Sequence, residues 1–540
     1  MMSRRLVWSG VLLAMLIAPQ IAHAHFLWLV GDSPSNPTGV KVYFSEGPEA
    51  DDPDLLDRVV AAECWVGSGR GGPSQVELKK GEESLVGSLD ANKDNTTVFL
   101  RHTYGVITRG GKPFLLHYYG KAYTTPLPGN WNMVNDQERL PLEVSASPAG
   151  EETRFKVTFN GKPAAGAALT IDGPGMKETE GVADEQGVFR CALPETGLFA
   201  IRAKLVEQEK GEHEGAAYEE VRHYSTLTLR RAPSVLKPLA AKLPELPQGT
   251  TSMGAAVAGD VLFVYGGNYG SAHEYSNEDQ SGDLWKLDLK KAGKWEKVSQ
   301  GPRLQGLAMV EHQGLLYRVG GFTAMNAEGE KQNLQSQASF ARFDPKSGEW
   351  TDLPDLPRGR SSHDAAVVGD TLYVVGGWTL QGDKDSAWHD TALAFDLSAK
   401  DAQWKEIANP PFKRRAIALA ASNGKLVCIG GMREDGGPTR ETSIYDPASD
   451  SWTAGPLLQG GGLEGFGASA FATQDGLYVT TISGSIQRLS DDGKTWEYVG
   501  QVKYPRFFHR MVPYQDQLVI VGGASMTAGG KVEDVELLGR

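Results

Sequence analysis

A repeat constrains this chain more than any other feature. After residue 250 an apolar, β-branched run closes on two glycines five times: LFVYGG (Gly266, Gly267), LYRVGG (Gly320, Gly321), LYVVGG (Gly376, Gly377), LVCIGG (Gly430, Gly431) and LVIVGG (Gly522, Gly523). A degenerate copy, LYVTTISG, falls between the last two. The early copies run on through a strand ending in Asp-Pro or Asp-Leu to a tryptophan, and the series is Trp295, Trp350, Trp404, Trp452 and Trp496. A unit of about 50 residues cannot bury its own apolar face, so successive copies must stack on one another. Short strands of this kind make the region all-β. The glycine pair is expected to let strands crowd near a common axis, with the tryptophan filling the wedge between neighbours.

This pattern resembles the kelch repeat, which implies a β-propeller. Counting copies gives six blades. The last copy stops at KVEDVELLGR without a tryptophan strand, while KLPELPQG (242–249) repeats DLPDLPRG (352–359) ahead of the first copy. The segment from Leu236 to Leu246 is therefore expected to supply the outer strand of the last blade, so that both ends of the region close one ring. Arginines mark the inner strands: Arg303, Arg360, Arg415 and Arg506, with His363 after Arg360 and His509 after Arg506. These six residues are expected to line the propeller mouth and receive an anionic ligand; the competing reading is that the arginines bond loop carbonyls between blades. Galactose oxidase-like kelch proteins hold copper with a cysteine–tyrosine crosslink, but Cys428 sits inside a core strand and the chain is one blade short. Exported sialic-acid mutarotases fit in blade count and compartment, although no catalytic set maps onto this chain.

The start of the chain reads as a secretory signal: Arg4 and Arg5, an apolar run from Leu6 to Ala18, then Ala22-His23-Ala24. Cleavage after Ala24 makes His25 the mature N-terminus, where its α-amine and imidazole Nδ1 can chelate one ion. An α-amine with a pKa of about 8 gives up its proton to a metal at little cost, and copper(II) or nickel(II) favours such nitrogen-rich sites. VFLRHTY (98–104) and PFLLHYY (113–119) flank a hairpin turn. A turn at Arg109-Gly110 pairs His102 with His117; one at Gly110-Gly111 keeps them on one face; a three-residue loop separates them. Beyond Leu142, short alternating runs between Gly, Pro and Asp turns read as a small antiparallel sandwich. It resembles bacterial immunoglobulin-like modules of the carboxypeptidase-regulatory type and ends in EVRHYSTLTL, which carries His223.

HFLWLV, TYGV, LLHYYGKA, the GKP…G sandwich and RHYSTLTL together resemble the NikM-like exported family linked to nickel or cobalt uptake. The resemblance implies a metal-binding module with His25 as ligand; His102, His117 and His223 join it here from spacing alone. The organisation expected is a signal peptide (1–24), a NikM-like β domain (25–140), an immunoglobulin-like sandwich (141–231) and a six-bladed kelch propeller (232–540). A net charge of −13 argues against nucleic acid and anionic membranes, and no apolar run after the signal approaches the roughly 20 residues that span a bilayer. Three cysteines permit a Cys64–Cys191 bridge without demanding it.

The function expected is thus an exported (periplasmic or secreted) copper- or nickel-binding protein, more readily a non-enzyme, whose propeller meets a protein or glycan. The alternatives are a copper-dependent oxidase or monooxygenase, and a metal-free carbohydrate- or anion-binding propeller of mutarotase-like type.

Overall fold

The computed structural model describes residues 25–540 except 33–36, 68–70, 91–95, 110, 132–133, 150–151, 195, 241 and 527–528. The signal expected over residues 1–24 lies outside the described residues. The described chain is all-β, with only short 3₁₀ turns and no helix long and apolar enough to cross a membrane.

Before residue 232 the chain builds three layers around one eight-stranded sheet. That sheet runs Thr179–Val182, Ala168–Asp172, Gly197–Glu207, Glu220–Arg231, Lys112–Tyr123, Thr97–Arg109, Glu63–Gly67, Ser74–Val76. It draws strands from both sides of residue 140, joined by the parallel pairing of His223 with His117 and its neighbours. Both of its faces are buried, which is why VFL and LLHYY are near-continuous apolar runs. Val98, Leu100, Tyr118 and Ala122 pack against Phe26–Gly31 and Gly39–Ser45; Phe99, Tyr119 and Tyr123 pack against Leu142–Ala149 and Glu152–Phe159. Cys64 and Cys191 are both free thiols, so no bridge staples these layers.

After residue 232 the described residues form a succession of six four-stranded antiparallel sheets, with smaller or looser sheets of loop segments beside them. The six begin with Gly254–Ala258, Ala308–His312, Asp364–Val368, Ala418–Ser422, Ser469–Thr473 and Arg510–Tyr514. Each of these first strands packs against the first strand of the next sheet, and Arg510–Tyr514 packs against Gly254–Ala258. In the sheet of Arg510–Tyr514 the fourth strand is Lys237–Pro238, paired with Gly539 and Leu538.

The glycine pairs serve the contact between sheets. Both members take positive φ, as at Gly320 (57°) and Gly321 (98°). The second glycine donates its N–H to a carbonyl of the following sheet: Gly267 to Leu304, Gly321 to Arg360, Gly377 to Arg414, Gly431 to Gly465 and Gly523 to Thr250. A Cβ on the first glycine would meet the same segment, 2.4 Å from the Arg360 oxygen at Gly320. The glycines therefore admit a neighbour's backbone rather than crowd strands on the axis. The tryptophans also reach between sheets: the indoles of Trp295, Trp404 and Trp452 donate to the carbonyls of Pro244, Pro354 and Ala408.

Candidate functional site

The four histidines expected to share one metal fall on two faces of the eight-stranded sheet. Arg109 pairs with Lys112, but a bulge at Tyr104 shifts the register, so His102 opposes Tyr118 while His117 opposes Thr103. Neighbouring strand positions face opposite ways, and the imidazoles part. On one face His25 places Nε2 3.0 Å from Asp51 Oδ2, and its carbonyl accepts from the Tyr118 hydroxyl. His102 bonds the Arg58 carbonyl there, separated from His25 by the rings of Phe44 and Tyr104.

On the other face His117 and His223 stack with ring centroids 5.3 Å apart. Nε2 of His223 donates to Glu207 and its Nδ1 accepts from the Tyr119 hydroxyl, while His117 bonds Thr103. Burial, with His223 and His213 nearby, pushes His117 down to about 4, and burial lowers His223 against the pull of Glu207. Among the described residues no group of three or more His, Cys, Asp or Glu is placed to hold a metal ion.

The second candidate is the axial mouth of the repeat region. One residue from each sheet, at Ser252, Gly306, Ser362, Ala416, Gly467 and Phe508, takes a φ between 51° and 61°. Each N–H of this set donates to the carbonyl of the preceding member, and Ser252 closes the circle on Phe508. Inside the ring opens a cavity of 340 Å³. Arg510 floors it, crossing from the last sheet to the carbonyls of Met253 and Leu307 and to Asp364 Oδ1 at 2.9 Å. Beyond that bar lies a separate 160 Å³ space lined largely by alanines and valines of the inner strands. The mouth is thus a cup.

Of the six residues expected at the mouth, Arg415, His363 and His509 line the cavity. Arg360 and Arg506 do not. They are buried, and Nη1 of each spans to two loop carbonyls: Gly376 and Thr391 for Arg360, Gly522 and Asp534 for Arg506. Arg414 makes the same pair of bonds, to Gly430 and Glu441, so it and not Arg415 is the equivalent arginine. Arg303 lies apart, donating to Asn277 at the rim of another cavity.

Displaced by one residue from that structural position, Arg415 turns into the mouth. Its guanidinium lies 4.1 Å from the Trp378 ring and 5.5 Å from Trp388, and Nη2 is 3.0 Å from the Met432 sulfur. Burial lowers its pKa, and no carboxylate among the described residues acts against that. Arg415 Nε, Trp378 Nε1, Gln305 Nε2, His509 Nδ1 and both nitrogens of His363 are buried with no hydrogen-bond partner, and all five residues line this cavity. Buried polar groups are rarely left unpaired. Burial and the flanking Arg506 and Arg510 push His509 down to about 3; burial, with Arg360, His389 and Arg510, drives His363 well below its ordinary value. These two histidines thus add no positive charge to the floor, where Arg510 is paired with Asp364.

The aromatic wall of Tyr275, Trp378, Phe466 and Phe508 was not anticipated. The signal was present: Trp378 and Trp388 stand outside the regular tryptophan series. They sit on an extra four-stranded sheet of loop segments, Phe322–Ala324, Leu334–Ser336, Trp378–Gln381 and Lys384–Trp388, beside the mouth.

The family model described as the KLHDC2/KLHL20/DRC7 Kelch-repeats domain matches residues 302–484. The chain is 36% identical over 128 residues to Kelch-like protein 41 of Rattus norvegicus, covering 24% of this chain and 20% of that protein. It is 28% identical over 211 residues to Kelch-like protein 35 of Mus musculus (39% and 31%) and 27% identical over 200 residues to Kelch-like protein terF of Aspergillus terreus (33% and 43%). The chain thus spans between a fifth and about two-fifths of the length of these relatives. The solved structure described as "Structure of YjhT" aligns over 55% of this chain and 96% of its own at 19% identity, with a TM-score of 0.45.

Proposed function

We propose that the kelch-repeat region of this chain is a six-bladed propeller, closed by Lys237–Pro238, and that it serves an exported protein as an interaction scaffold. Its mouth takes a carboxylate-bearing segment of a partner protein. The observation that carries this reading is Arg415: a half-buried guanidinium over two tryptophan rings and without an acidic partner among the described residues. Arginine and tryptophan in a desolvated pocket are the residues that dominate binding energy at protein interfaces. A guanidinium fork matches a carboxylate in geometry as well as charge. The kelch-like names of the relatives and the closed hydrogen-bonded ring around the mouth support the scaffold reading. Export rests on the leader pattern of residues 1–24.

A fluorescein-labelled poly-glutamate decamer tests the site by fluorescence anisotropy on the full chain. The protein's net charge of −13 opposes indiscriminate binding of such a probe. Arg415→Ala is expected to weaken the decamer at least about tenfold, consistent with loss of a charge-assisted bidentate pair. Unchanged affinity in Arg415→Ala overturns the reading.

A second function is favoured by one contact at His25. With Nε2 held by Asp51, the ring keeps the tautomer that leaves Nδ1 free, the arrangement in which a carboxylate orients a metal-bound histidine. If processing exposes His25, amine and Nδ1 supply two nitrogens to copper or nickel. His102 bonds the Arg58 carbonyl, and His117 and His223 lie on the other face of the sheet, so they do not join this pair of nitrogens. Protein carrying one extra alanine before His25 is expected to lose one-to-one copper binding in calorimetry. Equal binding with and without the extension discards the chelate.

A further inference from the structure

The degenerate fifth repeat carries information that the proposed function leaves unused. Where the other copies have a glycine pair, this one has Thr481 and Ile482, followed by Ser483. The hydroxyls of Thr481, Ser483 (2.8 Å) and Ser485 (3.3 Å) all donate to Oε2 of Glu464, a carboxylate only 2% exposed. Its other oxygen, Oε1, accepts from Asn130 Nδ2 at 2.7 Å. Asn130 comes from the other half of the chain, on the turn Pro128–Asn130, and is itself 1% exposed. Its Oδ1 accepts the Gly461 N–H at 2.9 Å, so one side chain holds both the carboxylate and the backbone beside it. The approach is close: a Cβ at Gly129 would lie 2.4 Å from the Ser483 oxygen.

Glu464 belongs to the turn Gly462–Gly465, which runs directly into Phe466 in the cavity wall. Gly465 offers its carbonyl to Gly431 of the preceding sheet, and Phe466 packs on Phe507 and Phe508. Glu464 has no basic partner among its contacts; hydroxyls and one amide satisfy it. A buried carboxylate satisfied in this way demands every partner, because each lost bond exposes a desolvation penalty.

We propose that Asn130 is a positioning residue for the mouth. By locking the Gly462–Gly465 turn it fixes Phe466 in the wall that faces Arg415, so seating of the N-terminal layers and occupancy of the mouth reinforce each other. This rests on the mouth being the binding site. Coupling of this kind is reciprocal, and it supplies a readout that a merely structural role does not.

Hydrogen exchange and decamer anisotropy on the full-length protein test it together. In the wild type, bound poly-glutamate decamer is expected to slow exchange at residues 127–131 as well as at 458–467. Asn130→Ala is expected to weaken the decamer about 5- to 50-fold, within the range of ordinary allosteric coupling, and to speed exchange at 458–467 without changing the circular dichroism spectrum. Glu464→Gln, which keeps the shape and can still accept from Asn130, is expected to lose less than Asn130→Ala. If Arg415→Ala loses binding while Asn130→Ala binds as the wild type, the coupling is wrong and the mouth stands. Unchanged binding in Arg415→Ala removes both. Protection confined to 458–467 on binding also overturns the coupling.

Discussion

Replacing Arg506 with alanine is expected to lower the stability of the repeat region by about 3–5 kcal/mol, the usual consequence of stranding one member of a buried ion pair. Arg506 is 1% exposed and does two things at once. Nη1 bonds the carbonyls of Gly522 and Asp534, and Nη2 pairs with Glu536, itself only 7% exposed. Without the guanidinium, Glu536 keeps, among the described residues, the Lys503 N–H at 2.7 Å against the cost of burial. The strand Glu536–Gly539 is also the one that Lys237–Pro238 joins, so the loss falls where the chain's two ends of this region meet. Arg414→Ala removes the same two carbonyl bonds and a bond to Ser443 but leaves no charge behind. It is expected to cost about 1–3 kcal/mol. Guanidinium chloride unfolding followed by tryptophan fluorescence ranks the two. The double change Arg506→Met with Glu536→Leu should recover much of the loss, since an apolar pair of similar volume often replaces a buried ion pair without penalty. If the double variant is as weak as Arg506→Ala, the stranded carboxylate is not the cause.

The repeat was legible because its chemistry is local. Glycines at positive φ and tryptophans on outer strands recur at fixed spacing, and each is needed by the unit that carries it. The arginines show where such reading stops. Arg360 and Arg506 lie sixteen residues before the glycine whose carbonyl they bond, and the same separation picks Arg414 over Arg415. Adjacent arginines look alike until that count is made, and only the displaced one, Arg415, lines the cavity. The histidines failed for a different reason. Turn chemistry sets the register of a hairpin at its tip, whereas a single extra residue at Tyr104 resets it further down and sends His102 and His117 to opposite faces. Nothing local marks that bulge. Nor does any local signal announce that Glu220–Arg231 pairs in parallel with Lys112–Tyr123, which merges the two β modules expected on either side of residue 140 into one sheet. The fifth repeat reads as decay for the same reason: its hydroxyls answer to Glu464, and Glu464 to Asn130, which is more than 300 residues away.

Gly320→Ala is expected to cost at least about 3 kcal/mol, and the argument depends on separating two penalties. The first is conformational. A φ of 57° places an L-residue in the left-handed region, which costs roughly 1–2 kcal/mol wherever it occurs. The second is steric and belongs to the ring: the new Cβ would stand 2.4 Å from the Arg360 oxygen and 2.7 Å from His363 Cε1. That oxygen cannot retreat freely, because it also accepts the Gly321 N–H that ties this sheet to the next. Gly369 supplies the control. Its φ is 59°, yet a Cβ there meets nothing within 4 Å, so Gly369→Ala should carry the conformational cost alone, about 1–2 kcal/mol. The difference between the two unfolding midpoints measures the price of pushing one sheet off its neighbour's carbonyl. Equal shifts would mean that the glycine pairs are kept for backbone conformation only. A larger shift at Gly320, together with faster hydrogen exchange at the Gly321 and Ser362 amides, would show that the contact between sheets is what the repeat preserves. It would also explain why the one copy that gave up its glycines could be refitted as a socket for Asn130.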